Sequence, residues 1–127
     1  MIDPTTKELA QGKNFAALTT LFKDGQPQTT MMWIDADDEH LLINTEVHRQ
    51  KYKNVQGDPR VAVAVFDSAN PYHYGEVRGR VVGEVRGPVA RDHIDCLSEK
   101  YTGGPYSSRI RSERVILKIA PERDRVQ

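Results

Sequence analysis

Four side chains able to carry positive charge, His48, Arg49, Lys51 and Lys53, fall within the six residues "HRQKYK" of a chain whose formal net charge is zero. Clustered cations of this kind either form a solvated helix face or hold an anion. The pattern "VHRQKYKNVQGDP" predicts a helix of two to three turns that begins near Thr45 or Glu46 and stops at Gly57 and Pro59. That start places His48 and Arg49 in the first turn and Lys51 just beyond. A helix N-terminus already carries partial positive charge, so each cation there is unfavourable by ~0.3–1 kcal/mol. A bound phosphate reverses the sign, accepting hydrogen bonds from the free backbone N–H groups and from Arg49 and Lys51 together. Thr45 could add a hydroxyl.

Other chemistries find less support. His40, His48, His73 and His93 are isolated, and none has a partner at a metal-ligand spacing such as H-x-x-x-H. Cys96 is the single cysteine, beside the apolar stripe of a predicted helix, and reads as a packing residue. Neither a G-x-S-x-G elbow nor a P-loop occurs, and Ser107-Ser108 has no defined base partner. The glycines of "GEVRGR" lie along an alternating strand and not at a strand-to-helix turn, which excludes a dinucleotide fingerprint.

The totals bound the rest. At 127 residues the chain is the size of one domain, residues 1–127. Lys plus Arg and Asp plus Glu each total 18, so no one-signed field exists to draw a nucleic acid. One cysteine permits no internal disulfide, which fits the cytoplasm. "MIDPTTKELAQGK" has no apolar leader core, and no window approaches the roughly 18 apolar residues of a membrane span.

The elements that position the cations follow from local pattern. "DPTTKEL" starts a helix, with Asp3 as cap and Pro4 in the first turn. "FAALTTLF" and "QPQTTMMWID" flank Asp24-Gly25, a hairpin signal, and "LLINT" is a third strand. "RVAVAVF" is apolar on both faces, which predicts a barrel wall covered by another element or another subunit. In "YHYGEVRGRVVGEVR" Gly75, Val77, Gly79, Val81, Gly83 and Val85 alternate with Tyr74, Glu76, Arg78, Arg80, Val82, Glu84 and Arg86, and the glycines allow sharp curvature. "PVARDHIDCLSEKY" is helical, "TGGPYSSRIRS" is a loop that could close as a flap carrying Arg109 and Arg111, and "RVILKIAP" is the last strand. Strands joined by hairpins, with helices as plugs, predict a mainly antiparallel β-barrel.

The "DGQPQTTMMW" hairpin, "LLINT", "RQKYKN" followed by "GDPRVAVAVF", "YGEVRGRV" and "RVILKIAPER" together resemble the pyridoxamine 5′-phosphate oxidase-like split-barrel family. The chain is most similar to its small actinobacterial branch that uses the deazaflavin coenzyme F420. The resemblance runs from about residue 8 to residue 122. It implies a six-stranded antiparallel split β-barrel and a homodimer with a cofactor site in each groove between subunits. By resemblance, Arg49 and Lys51 hold the cofactor phosphate, with Thr45 and Asn54 nearby, and Pro27, Gln28, Thr29 and Thr30 face the ring. Trp33, Tyr72, Tyr74, Arg78 and the 102–112 loop are candidates to complete the site, and Lys53, Arg60 and Arg78 to meet an acidic cofactor tail.

The chain lacks the extra C-terminal residues that recognise pyridoxal phosphate in vitamin B6 oxidases. The implied activity is hydride transfer from reduced F420 to a small conjugated acceptor: a biliverdin-like tetrapyrrole, a quinone or an unsaturated lactone. The alternatives are an FMN-dependent flavin reductase or oxidase, and a non-catalytic flavin- or deazaflavin-binding protein.

Overall fold

Residues 2–127 are described by a computed structural model; Met1, the first residue of the N-terminal stretch "MIDPTTKELAQGK", lies outside them. In chain order the elements are α1 (Pro4–Gln11), β1 (Phe15–Leu21), β2 (Pro27–Trp33), β3 (Asp35–Ala36), β4 (Leu41–Glu46), α2 (Gln50–Gly57), β5 (Arg60–Asp67), β6 (Asn70–Arg86), α3 (Pro88–Thr102) and β7 (Arg114–Val126). The strands form one curled sheet in the order β2-β1-β5-β6-β7-β4-β3. Every pairing is antiparallel. The fold is the expected mainly β split barrel, with seven strands where six were expected. The addition is β3, two residues long, and no residue pattern could announce it.

Local chemistry explains the main elements. Asp3 caps α1 by accepting from the Thr5 N–H at 2.8 Å, and Pro4 occupies the first helical position. The β1–β2 hairpin turns at Gly25, whose φ of 89° a side-chain-bearing residue rarely adopts. Leu18, Val63, Val77, Val115, Leu117, Ile43 and Leu41 point inward from successive strands and fill the barrel.

The long strand β6 spans both halves of the barrel, and two register shifts against β7 bend it, at Arg78/Gly79 and at Val81/Gly83. Glycine at 79 is obligatory for this packing, because a Cβ there would collide with the Ala120 carbonyl. A Cβ at Gly75 would collide with the Thr6 side chain of α1. So two of the alternating glycines admit close neighbours, and curvature comes with them.

Strand β5 is buried on one face only. Val61, Val63 and Val65 enter the core, while Ala62, Ala64 and Phe66 are half-buried on the outer face. Exposed Met31 and Phe15 lie on that outer face too, through the pairings Met31–Ala17–Ala64 and Phe15–Phe66.

Candidate functional site: the start of helix α2

Helix α2 begins at Gln50, not at Thr45 or Glu46, and Arg49 is its N-cap. The reason is the Glu46 side chain. Its carboxylate accepts from the backbone N–H groups of Arg111 and Ser112, at 2.7 and 2.8 Å, and from Arg114 at 3.3 Å, and these bonds keep Thr45 and Glu46 in strand β4 beside β7. Even so, the cations stand at the positive end of the helix dipole: Arg49 caps the helix and Lys51 lies in its first turn. The backbone N–H groups of Gln50 and Lys51 have no hydrogen-bond partner among the described residues.

Lys51 is half-buried, and its ammonium makes no hydrogen bond or ion pair among the described residues. Burial, then the nearby charges of Arg49 and Arg114, push its pKa down from 10.5 to about 8. A half-buried cation beside two others, with no hydrogen-bond acceptor among the described residues, is suited to a bound anion. Arg49 is exposed and likewise unpaired among the described residues.

The other expected residues divide between framework and open edge. Thr45 lies on the core face of β4, 4% exposed. Asn54 is buried; its amide donates to Thr20 Oγ1 at 3.0 Å and to Gln28 Oε1 at 3.4 Å, and it accepts from Gln50 at 2.7 Å. Asn54 therefore links α2 to β1 and reaches Gln28 of β2. Gln28 and Thr30 sit opposite Thr20 and Leu18 on the inner side of the sheet, and Pro27 and Thr29 opposite Leu21 and Thr19 on the outer side. Since β2 is an edge strand, its backbone N–H and C=O groups facing away from β1 have no partner strand.

Lys53 is exposed, and Arg60 pairs with Asp58 at 2.7 Å. These two line a hollow of about 680 Å³ between α2 and the β1–β2 hairpin, together with Lys23. Arg78 is on the outer face in the row Thr29–Thr19–Ala62–Arg78, with Glu76 at 3.7 Å. On that strand Tyr72 is 85% exposed and Tyr74 half-buried. Cys96 is exposed and not packed. Among the described residues no three His, Cys, Asp or Glu groups gather as a metal site.

The structure also brings forward a polar chain unseen in the sequence. Arg114, 7% exposed, donates from Nε to Asn44 Oδ1 at 2.8 Å as well as to Glu46. The Asn44 amide donates to the Ala90 carbonyl at 2.9 Å and to His93 Nδ1 at 3.0 Å, which leaves His93 Nε2–H to donate to Asp35 at 3.1 Å. Burial raises the Glu46 carboxyl, but the Ser112 and Arg111 N–H groups and Arg114 together bring it below its ordinary value. The expected flap is thereby fastened at its end, and His48 adds a bond of 2.6 Å to Ser112 Oγ. A charge at each end of two strands, 68 residues apart, gives no local signal of this pairing.

An open cleft of about 300 Å³ adjoins this chain beneath α3, lined by Trp33, Asn44, Ile94, Leu97, Tyr106 and Arg114 among others. Trp33 stacks on Tyr101, with centroids 5.1 Å apart and planes at 3°, and meets Tyr106 edge-on at 6.2 Å.

With this geometry, the sequence profile of the pyridoxamine 5′-phosphate oxidase family matches residues 2–127. The chain belongs to this family. Members of the family share the split barrel, and the chain is akin to flavin- and deazaflavin-type oxidoreductases. A solved structure described as an F420 reductase is 32% identical, with a TM-score of 0.84 and 98% of each chain covered. A conserved hypothetical protein, Rv2991, from Mycobacterium tuberculosis is 27% identical, with a TM-score of 0.74, over 99% of this chain and 84% of that one. General stress protein 26 from Bacillus anthracis, at 19% identity and a TM-score of 0.71 over 96% and 90%, shares the fold. No curated protein matches the chain. No described helix of this family member is long and apolar enough to cross a membrane.

Proposed function

We propose that this protein is a homodimeric cytoplasmic oxidoreductase that uses reduced coenzyme F420 to reduce a small conjugated acceptor. The observation that carries the reading is Lys51, half-buried beside Arg49 and Arg114 with no anionic or neutral acceptor among the described residues. Similarity to a protein described as an F420 reductase, over nearly the full length of both chains, favours the deazaflavin over FMN.

In this reading Arg49, Lys51 and the free N–H groups of Gln50 and Lys51 bind the cofactor phosphate. The open edge of β2 at residues 27–30 hydrogen-bonds the ring edge, with Gln28 in reach of Asn54. Lys53 and Arg60, in the hollow beside α2, meet the acidic tail. When bound, the reduced deazaflavin supplies the hydride; the protein contributes orientation and the exclusion of water. The half-apolar outer face, with Ala62, Ala64, Phe66, Phe15 and Met31, is the surface a second copy would cover. Arg78 and Tyr74 on that face would then border the groove.

Titrating the purified protein separately with F420 and with FMN tests the cofactor. Saturable binding of F420 with turnover of an acceptor is expected. FMN binding without F420 binding overturns this reading in favour of a flavin enzyme, and F420 binding without turnover of any acceptor favours a carrier.

A further inference from the structure

We propose that the cleft beneath α3 is an acceptor subsite for a small planar carboxylic acid, its flat body in the corner between Trp33 and Tyr106 and its carboxylate on Arg114. The inference rests on the oxidoreductase reading above and names the substrate class of that site. Three observations carry it. First, the cleft has rigid flat walls: Trp33 is clamped by its stack on Tyr101, and Tyr106 meets it at 81°. Ile94 and Leu97 add an apolar lining. Such a corner selects a planar apolar body.

Second, one end of the lining is cationic. Arg114 is fixed by Asn44 and Glu46 and lies with its guanidinium carbon 5.3 Å from the Tyr106 ring centroid. Arg114 itself lines the cleft, beside Tyr106. Glu46 offsets one charge of the Arg49, Lys51 and Arg114 cluster and leaves the neighbourhood positive. Third, about 300 Å³ is the small end of the range for ligand pockets, room for one or two rings and not for a whole tetrapyrrole.

In an acid conjugated to a C=C bond, a hydride adds at the β-carbon, the C=C electron pair moves to the α-carbon, and solvent protonates it there. Reduced deazaflavin is the two-electron donor oxidised in exchange, and Arg114 holds the carboxylate throughout.

Trp33 is the sole tryptophan, so its fluorescence reads the cleft directly. Cinnamate should quench it saturably, and methyl cinnamate should bind at least tenfold more weakly. Ser108→Phe, at the exposed lip, and Arg114→Lys should each weaken cinnamate binding about tenfold or more, with circular dichroism confirming that each is folded. The Ser108 variant keeps the test decisive where Arg114→Lys does not fold. Equal binding of acid and ester, quenching that does not saturate, or displacement of cinnamate by F420 overturns the assignment. F420 affinity is measured in parallel from the cofactor's own fluorescence. F420 binding without cinnamate binding overturns this inference alone, and cinnamate binding without F420 binding overturns only the functional reading.

Discussion

Lys51 and Lys100 are both half-buried lysines, and the fold treats them in opposite ways. The Lys100 ammonium donates to the carbonyls of Ala10 and Ile34, at 3.0 and 2.6 Å, and lies 4.8 Å from the Tyr101 ring centroid. Burial lowers its pKa, and the nearby charge of Asp35 opposes that. Lys51 is desolvated as well, yet its charged neighbours are Arg49 and Arg114, and it has no hydrogen-bond acceptor among the described residues. Burying an ammonium without acceptors is unfavourable, and folding alone gives no reason to keep it there. Lys100 ties α3 to α1 and to Ile34 at the end of β2, whereas under the proposed function Lys51 is placed for a ligand.

The largest effect should come from the acid that holds the framework beside Lys51. Glu46 and Arg114 are both nine-tenths buried, so Glu46→Ala strands a buried guanidinium and frees the 111–112 backbone. Chemical denaturation should show a loss of about 3–5 kcal/mol. The sign of its pH dependence also follows. Because folding holds the Glu46 pKa below 4.5, its contribution is present above that value and fades as pH falls through the lower folded pKa. Glu46→Gln should flatten this acid limb.

Next, Arg49→Ala and Lys51→Ala should each weaken F420 binding by about 1.5–3 kcal/mol in a titration, the range for hydrogen bonds to charged groups. Neither should lower the melting temperature of the cofactor-free protein, because neither side chain has a partner to lose among the described residues. Lys100→Met should do the reverse. It removes the ammonium from the Ala10 carbonyl and from the Ile34 carbonyl, which retains the Tyr101 hydroxyl at 3.3 Å, for a loss of about 1–3 kcal/mol in stability with F420 affinity intact. A fall in affinity with Lys100→Met, or in stability with Lys51→Ala, would erase the distinction between the two lysines.

Much of the framework was legible because it rests on local patterns. The alternation in 72–86 and the Asp24-Gly25 turn each name their own element. The basic cluster was also legible, since Arg49 and Lys51 lie two residues apart at a helix start. What sequence could not show is long-range. The start of α2 is displaced because Glu46 pairs with the 111–114 segment, and these bonds, with the β4–β7 ladder, keep residues 45–46 in a strand. Cys96 lies one residue from the buried Leu97, and the helix turns it outward, which a stripe drawn on spacing blurs. Arg114 and Asn44 are ordinary strand residues until α3 folds over them.

The central claim is that the cofactor phosphate is the partner Lys51 lacks, and proton uptake on binding tests it most directly. Without ligand the Lys51 pKa is about 8, below its ordinary 10.5, so the folded protein favours the neutral amine between those values. A phosphate reverses this preference. Calorimetric titration of F420 at several pH values on both sides of about 8, in buffers of different ionisation enthalpy, should show proton uptake, affinity falling at higher pH, and neither effect in Lys51→Arg. Binding that takes up no proton, or the same uptake in the arginine variant, would contradict the account.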